Sequence, residues 1–456
     1  MAEADLYARL FRRVLQPGYE TLLRRRPTLS RLAHLEKTQL RPLDEICAQQ
    51  VADLRRLLSH AHRHVPYYRR VLDEAGVAPE RVRSLDDLWR VPILRREQAR
   101  AAGEERASTA PPFAVVRKGT SGSSGVPLTF GYDLESEYWR QAIKLRGYSW
   151  AGYQLGDRAL HYWGAPVKPA PWRTRTKANL DHLIKRENYL DCTRRAEGDL
   201  EKVVTEIRRR RPTALVCYTQ AGADLARFIV ERGLRDWDEL PVLCCAERLL
   251  PDDRERFEAA FGAVFETYGC REVMLIGAEC EAHEGLHLSS ENLIVEVVVT
   301  DGNRTRPARP GESGEVVITD LHNLGMPFIR YANGDLAVAG PEGACACGRS
   351  LPRLASVDGR VTDTLKDARG ERVSGLLFNV MFAALAGTVR RFQAVQHPDR
   401  SVTLKLVPTE KLDDSALATI RDNFARHLPG LPLRTELVDD IPLSPSGKRK
   451  VVVVES

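Results

Sequence analysis

The chain has 456 residues, more than one hydrophobic core usually serves, so two or more domains are expected. Apolar residues make up 43% and charged residues 29% of it, a composition typical of globular cytosolic proteins. The net charge of +6 is small, and lysines and arginines are dispersed along the chain, which argues against nucleic-acid binding.

Neither a secretory leader nor a membrane span is predicted. The first residues lack a basic region followed by an apolar core, and no apolar run approaches the roughly 20 residues of a spanning helix. Of the nine cysteines, Cys217, Cys244 and Cys245 lie in apolar runs, which is typical of buried thiols in a reducing compartment. We therefore predict a cytoplasmic protein with neither nucleic acid nor a membrane as partner; a homodimer stays open.

The predicted elements begin with helices. Residues 1–110 have leucines and arginines at helical spacing, and Ser84, with aspartates just inside, is typical of a helix cap. From residue 111 to 358, short apolar strands alternate with helices, which predicts a layered α/β domain with a mostly parallel sheet. The strands are expected at 158–164, 212–218, 241–247 and 263–269, and the helices at 197–211 and 221–233.

The pattern changes again toward the end of the chain. Two β-branched runs at 292–301 and 311–321 predict a hairpin in a smaller β region. Residues 359–456 predict a compact α+β domain, with helices near 375–387 and 412–427.

The segment RKGTSGSSGVPLTF at 117–130 is the sharpest local signal. Three glycines and four hydroxyl residues lie between Gly119 and Gly125. Glycine lets backbone N–H groups approach an anion, and hydroxyls add donors to phosphate oxygens. A flexible surface turn is the alternative for such a tract. No lysine follows the last glycine, so this is not the loop of the P-loop NTPases.

The order of residues from Thr120 to Pro127 resembles the phosphate-binding signature of the adenylate-forming superfamily. Further segments resemble motifs of that superfamily in the required order: FETYGCREV (265–273), IRYANGDLA (329–337), DGRVTDTL (358–365) and PLSPSGKRK (442–450). Within the superfamily, VPYYRRVL, GEVVITDLHNLGMPFIRYANGD and CACGRSLPRLASVDGR resemble the phenylacetate–CoA ligase branch and its relatives linked to capsule biosynthesis. The resemblance implies a large adenylate-forming domain (1–110 and the core 111–358) and a small mobile C-terminal domain (359–456).

Each matched motif carries an implied role. Asp335 would hold both ribose hydroxyls, since a carboxylate has two acceptor oxygens, and Arg360 would lie near the ribose. Glu272 would lie near Mg²⁺, and Lys448 would reach the acyl-phosphate oxygens. The remaining nucleotide-binding residues would be Thr120, Ser121, Gly122, Ser123, Ser124, Gly125, Ala246, Glu247, Tyr268 and Gly269.

The implied activity converts a carboxylic acid and ATP to acyl-AMP, followed by transfer to CoA after the small domain rotates. Two departures concern the later steps: Thr362 replaces the first hinge carboxylate, with Asp363 next, and the turn at 366–375 is longer than in many relatives. An amide or ester ligase for natural-product or envelope biosynthesis is the alternative, and a non-catalytic relative is another. Tyr138, Trp139, Tyr162 and Trp163 suggest an aromatic or flat acid.

Cysteine and histidine form a second constellation, at Cys280-x-x-His283 and Cys345-x-Cys347. Three thiols and one imidazole meet the tetrahedral demand of a structural zinc site. The polar, glycine-rich surroundings disfavour simple core packing, although idle thiols are the alternative. We predict zinc bound by these four residues, with His283 preferred to His287 for its spacing.

The stretch KPAPWRTRTKANLDHLIKR at 168–186 is basic and contains tryptophan. It could bind phosphates of a coenzyme, but a solvated loop and helix face is the favoured interpretation.

Overall fold

The computed structural model describes residues 5–119, 128–164, 171–301, 304–360, 364–369, 372–374, 378, 388–409, 412, 414–442 and 451–455. These residues form the predicted α/β fold, with one twelve-stranded sheet, a four-stranded sheet and two strand pairs. Within these ranges, no helix is long and apolar enough to cross a bilayer.

Helices dominate the first hundred residues, as predicted. A continuous helical segment starts with α1 (Leu6–Leu10) and continues in π-helical turns at Phe11–Leu15 and Gly18–Leu23. The helices α2 (Thr28–Thr38), α3 (Leu43–His64), α4 (Pro66–Glu74) and α5 (Arg96–Ala102) follow, with 3-10 turns at Pro79–Arg81, Leu85–Arg90 and Gly103–Arg106. Ser84 does cap an element, in a capping box with Asp87, but that element is the 3-10 turn Leu85–Arg90.

The central sheet combines a parallel and an antiparallel half. Its strands are β3 (Ala159–Trp163), β4 (Glu187–Asp191), β5 (Ala214–Tyr218), β6 (Val242–Cys245), β7 (Val264–Cys270), β8 (Met274–Glu279), β9 (Leu286–Leu288), β10 (Leu293–Asp301), β11 (Arg304–Pro307), β12 (Ser313–Asp320), β13 (Tyr331–Ala339) and β14 (Arg353–Arg360). The order is β11-β10-β12-β13-β14-β9-β8-β7-β6-β5-β3-β4. The strands from β4 to β7 in this order are parallel, and the pairs from β7–β8 onward are antiparallel.

The parallel half follows the predicted strand–helix alternation. The helices are α6 (Leu134–Ser149), α7 (Trp172–Lys185), α8 (Glu197–Arg210), α9 (Thr219–Glu231) and α10 (Pro251–Phe261). Because helices cover a parallel sheet, β5 is apolar and buried from Ala214 to Cys217. Helix α8 buries Leu200, Val203, Val204 and Ile207 at helical spacing against the same core. A separate pair, β1 (Val115–Gly119) and β2 (Thr129–Asp133), precedes α6.

The C-terminal part forms its own small sheet. Strands β15 (Thr364–Lys366) and β16 (Arg372–Ser374) pair first, and β17 (Val389–Gln396), β18 (Val402–Pro408), β19 (Leu433–Leu437) and β20 (Val452–Val454) form the order β19-β18-β17-β20. Helix α11 (Asp414–His427) packs Ile420 and Phe424 on it, where a helix was predicted. The other predicted helix, near 375–387, falls almost wholly outside the described residues, and the domain limits at 110 and 358 remain predictions.

A partly buried ion pair joins these two parts. Arg391 of β17 donates to the Asp224 carboxylate of α9 at 2.7 Å, and to Asp440 at 2.8 Å. Asp224 also accepts from Arg195 and Arg227 on its own side. This carboxylate therefore joins the C-terminal sheet to the parallel half of the core.

A second buried ion pair, between Arg146 and Glu291, joins the helices to the antiparallel half. Nη1 of Arg146 in α6 donates to Oε1 of Glu291 at 2.6 Å, and Thr38 Oγ1 donates to the same oxygen at 2.7 Å. The two charged side chains are only 1% and 4% exposed. Burial makes each charge depend on the other, because neither can recover its hydration.

Replacing Glu291 with Ala is expected to lower the free energy of unfolding by about 3–5 kcal/mol, because the Arg146 charge stays buried without its carboxylate. Glu206→Ala is the matched control: Glu206 pairs with Arg209 and Arg210 on exposed helix surface, and its loss should cost about 0–1 kcal/mol. Urea unfolding followed by circular dichroism compares the variants. Equal losses of unfolding free energy in the two variants would contradict the assignment of Glu291 as the buried partner of Arg146.

Candidate active site

The candidate site lies where the parallel strands end. The carboxyl ends of β5, β6 and β7 lie side by side, which is where ligands bind in open α/β sheets. Ala246 follows β6 with φ of +72°, a left-handed conformation that costs energy for a residue other than glycine. Oε2 of Glu247 accepts from the backbone N–H of Gln220 at 3.0 Å, which links this turn to the start of α9.

Tyr268 and Asp335 meet although three strands separate β7 from β13 in the sheet. Tyr268 Oη donates to Oδ2 of Asp335 at 2.9 Å, and Asn333 Nδ2 donates to the same oxygen at 2.7 Å. Asn333 Nδ2 also lies 2.8 Å from Tyr268 Oη. All three are buried, and burial, together with the nearby carboxylate, raises the pKa of the Tyr268 phenol well above its ordinary value. Two motifs that are 67 residues apart thus form one polar cluster.

The end of β14 lies against this cluster. Arg360 is the cross-strand neighbour of Asp335, so its backbone stands beside the carboxylate. Two residues earlier, Asp358 contacts Arg248 of the turn after β6 at 3.5 Å. The turn that carries Ala246 and Glu247 is therefore tied to the strand that carries Arg360.

Glu272 is held by a second set of contacts, with Arg96, Arg140 and Tyr331. Its carboxylate is buried and accepts from Arg96 Nη1 at 3.3 Å and from Tyr331 Oη at 3.3 Å. Its backbone carbonyl accepts from Arg140 at 2.6 Å. The neighbouring Arg271 donates to the carbonyl of Gly119 at 3.2 Å, the last residue of β1. Glu272 is thus fixed close to the start of the glycine- and serine-rich segment.

Gly269 must be glycine for this turn to form. A Cβ atom at residue 269 would lie 2.2 Å from the carbonyl oxygen of Met274, far inside contact distance. The remaining predicted site residues, Thr120, Ser121, Gly122, Ser123, Ser124, Gly125 and Lys448, lie outside the described residues, as do Thr362 and Asp363. Strand β20, four residues after Lys448, is held parallel to β17.

The structure gathers four metal-ligand side chains elsewhere, at Cys280, His287, Cys345 and Cys347. Their ligand atoms all lie within 4.8 Å of one another. The Sγ atoms of Cys280 and Cys345 are 3.7 Å apart, and Sγ of Cys347 is 3.3 Å from Nε2 of His287. Nδ1 of His287 is 3.1 Å from the carbonyl of Leu351, which leaves Nε2 directed at the thiols.

The histidine of this cluster is not the one that the spacing favoured. His283 lies in the turn after β8 with φ of +53° and pairs through Nδ1 with Glu279 at 3.1 Å. His287 is the middle residue of β9, so its side chain points opposite to those of Leu286 and Leu288. Strand alternation, which the Cys-x-x-His spacing does not contain, decides which imidazole faces the cysteines.

Comparison with known proteins identifies relatives of the whole arrangement. Residues 365–455 match the CapK C-terminal domain family. A phenylacetate-coenzyme A ligase of Thermus thermophilus is 28% identical over 362 residues, covering 78% of this chain and 79% of that protein. The phenylacetate-coenzyme A ligase of Escherichia coli is 28% identical over 356 residues, covering 73% of this chain and 75% of that protein.

A solved structure shares the fold. The 2-hydroxyisobutyryl-CoA ligase in its postadenylation state, in complex with 2-HIB-AMP, superposes with a TM-score of 0.71 at 22% identity and 92% coverage of both chains. The chain is similar in sequence to the phenylacetate-coenzyme A ligases and shares the fold of the 2-hydroxyisobutyryl-CoA ligase. Its motifs therefore lie in the fold in which the sequence resemblance placed them.

Sequence reasoning singled out neither Asn333 of the buried cluster nor Glu266. Glu266 lies in β7. It lies two residues before Tyr268, on the same face of β7, and accepts from the backbone N–H of Leu249 at 3.1 Å. It also lines a cavity of about 340 Å³ together with Arg254, Glu279 and His283. Burial raises the pKa of this carboxyl group from 4.5 to about 7. A charged residue inside an otherwise apolar strand pattern was the available signal.

Two aromatic residues of the predicted acid pocket belong to the core instead. Trp139 is stacked on His322 with ring centroids 4.1 Å apart, and Tyr162 is buried among the aliphatic side chains under α8 and α9. Trp163 remains near the site, because its ring lies 4.5 Å from that of Tyr218 at the ends of β3 and β5. Trp139 and Tyr162 are therefore packed against other side chains of the protein and need no ligand to cover their rings.

The raised pKa of Glu266 predicts a specific pH dependence. The Glu266 carboxyl group holds its proton more tightly in the folded chain than in the unfolded chain. Its protonation therefore contributes fully to the stability of the fold below pH 4.5, and this contribution is lost as pH rises through about 7. Glu266→Gln should therefore gain stability relative to the parent between about pH 5 and pH 8. Melting temperatures across this range test it, with the exposed Glu258→Gln from the same cavity as the control. If the melting temperatures of the parent and of Glu266→Gln change in parallel with pH, the prediction is contradicted.

Proposed function

We propose that the protein uses ATP to convert a carboxylic acid to an acyl-AMP and then transfers the acyl group to CoA. The observation that carries the proposal is the buried cluster of Tyr268, Asn333 and Asp335, where two motifs of the adenylate-forming ligases converge. The names of the relatives, phenylacetate-coenzyme A ligase and 2-hydroxyisobutyryl-CoA ligase, agree with this reaction class.

The chemistry requires that several negative charges be gathered. A carboxylate is a poor electrophile, whereas an acyl-AMP has a competent leaving group, so the acid attacks the α-phosphate and pyrophosphate departs. Backbone N–H groups and hydroxyls from Thr120 to Gly125, and the ammonium group of Lys448, would stabilise the charge that develops on the phosphate oxygens.

Asp335 would bind the ribose hydroxyls of ATP. Tyr268 and Asn333 both donate to its Oδ2 and so fix the plane of the carboxylate before a ligand arrives. A preorganised acceptor loses less rotational freedom when the ligand binds. Arg360, the cross-strand neighbour of Asp335, would act on the same sugar.

Glu272 would hold Mg²⁺ beside the phosphates, since oxygen ligands are those that Mg²⁺ prefers. Its contact with Arg96 and the contact of Arg271 with Gly119 support this, because they set the carboxylate near the entrance of the phosphate-binding segment. The metal would neutralise phosphate charge when bound.

Transfer to the acceptor would follow a rotation of the C-terminal domain, which withdraws Lys448. The rotation would separate Arg391 from Asp224, a partly buried contact between the two parts. Asp224 would remain paired with Arg195 and Arg227, so the core would not be left with an unpaired buried carboxylate. Because these two arginines remain, separating Arg391 from Asp224 costs less free energy than separating an isolated buried ion pair.

The test is pyrophosphate release from purified protein with a panel of carboxylic acids, with and without CoA and with amines in its place. We expect acid-dependent release and a CoA thioester as product. Lys448→Ala should slow release by about 100-fold or more while the protein stays folded, because one contact to developing charge is lost. Near-parental release by this variant would contradict the role of Lys448.

Asp335→Ala provides the contrasting control in the same assay. It should weaken ATP binding in calorimetry, whereas Lys448→Ala should leave binding largely intact. If amide or ester products form and no thioester does, the acceptor is an amine or a hydroxyl and not CoA. No release with any acid would overturn the adenylation proposal itself.

We also propose that Cys280, His287, Cys345 and Cys347 bind one structural Zn²⁺. Four ligand atoms within 4.8 Å fit a closed tetrahedral site with no position left for a substrate. Burial lowers the pKa of His287 to about 4, so the imidazole is neutral, as a metal ligand must be. The ion would join the turn after β8 to the loop before β14.

The purified protein should contain about one zinc per chain, and Cys345→Ser and His287→Ala should lower both zinc content and melting temperature. His283→Ala is the matched control and should retain zinc, because His283 faces Glu279 instead. Elemental analysis and thermal melts measure the two quantities. A zinc-free parent that melts like Cys345→Ser would reject the site.

A further inference from the structure

Helix α7 buries none of its residues against the rest of the chain. Four large apolar side chains on it, Trp172, Leu180, Leu183 and Ile184, are 44–73% exposed. Most of the stability of a helix of this length comes from packing an apolar face. The apolar side of α7 has no such packing within the described part of the chain.

The N-terminal helical segment continues this exposed surface. Leu6, Val14, Leu22 and Leu23 are 56–83% exposed, while Ala8 and Phe11 on the other side are buried. Tyr7 Oη donates to the carbonyl of Ile184 at 2.7 Å, and Arg186 donates to the Asp5 carboxylate at 2.8 Å. The two elements are therefore adjacent, and residues 5–26 and 171–186 together form what we call the arginine–leucine face.

The arginine–leucine face concentrates positive charge. Residues 5–26 contain six arginines and two carboxylates, and residues 171–186 contain five basic residues and one carboxylate, a net charge of +8. The whole chain has a net charge of only +6, so the rest is slightly negative. The basic residues look dispersed in the sequence because 144 residues separate the two segments, which the fold brings together.

We propose that the arginine–leucine face binds the surface of an anionic lipid bilayer. Leucine and tryptophan side chains beside arginines are the combination that lies in the boundary between headgroups and acyl chains. Each basic residue near an anionic leaflet adds attraction, which salt screens. A second copy of the chain is a poorer occupant, because a two-fold interface would place two such positive faces against each other.

This proposal revises the sequence expectation of no membrane partner. That expectation rested on the absence of an apolar run long enough to span a bilayer. A helix that lies in the bilayer surface needs no such run, only an apolar side and a basic side. Those sides become recognisable once exposure of the individual leucines is known.

The test is co-sedimentation of the full chain with vesicles of pure phosphatidylcholine or of equimolar phosphatidylcholine and phosphatidylglycerol. We expect binding to the anionic vesicles alone, weakened by salt. The double variants Leu22→Ser/Leu23→Ser and Leu180→Ser/Leu183→Ser should each reduce binding by about tenfold or more, because they remove apolar area that enters the lipid. Arg13→Glu/Arg175→Glu should abolish the preference for anionic lipid.

Val230→Ser/Leu437→Ser is the matched control, since these side chains are 47% and 53% exposed but lie outside the arginine–leucine face. It should bind like the parent. Failure of the parent to bind anionic vesicles at low salt would overturn the proposal, as would unchanged binding by both leucine variants. Light scattering that finds a dimer which Leu180→Ser/Leu183→Ser converts to a monomer would also overturn it, in favour of an interface between copies.

Discussion

The hydrogen bond from Tyr268 to Asp335 is the contact that constrains the curvature of the central sheet. Three strands lie between β7 and β13, and neighbouring strands are about 4.8 Å apart, so a flat sheet would hold these residues about 19 Å apart. Their side chains nevertheless meet at 2.9 Å, which requires the sheet to curl strongly between them. Strand β9 has only three residues, and Gly285 just before it has φ of +94° with its Cα packed on the carbonyl of Leu354. Short strands and close backbone approach therefore make the curl possible.

Sequence reasoning located Tyr268 and Asp335 of the cluster, but neither Asn333 nor the curl of the sheet. Tyr268 and Asp335 were recognised in motifs whose order matched a family, and the strand–helix alternation predicted the parallel half. Local patterns carry such information because they reflect neighbouring residues. The choice of His287 over His283, and the position of Glu266 in a cavity, depend on strand direction and on which face of a strand is turned inward. Those properties are set by distant pairings, so spacing alone could not supply them.

Asp224 and Glu291, two of the buried carboxylates, show how burial is used differently in one chain. Glu291 joins Thr38 and Arg146 at a permanent junction between helices and sheet. Among the described residues, Asp224 pairs with Arg195 and Arg227 from its own part and with Arg391 from the C-terminal part. A carboxylate with redundant partners tolerates the loss of one of them, whereas a carboxylate with a single charged partner does not. The distribution of arginines thus distinguishes a carboxylate that depends on one charged partner from a carboxylate with several.

The curl also bears on how the chain folds. Because Tyr268 and Asp335 belong to strands that are linked through β8, β9 and β14, the cluster cannot exist in a chain that has folded only one half of the sheet. Contacts between distant parts of a chain form late, since long loops must close first. Any ligand that recognises this cluster therefore distinguishes the completed fold from partly folded chains. By mass action such a ligand draws the population toward the completed fold and selectively stabilises the product of the final folding step.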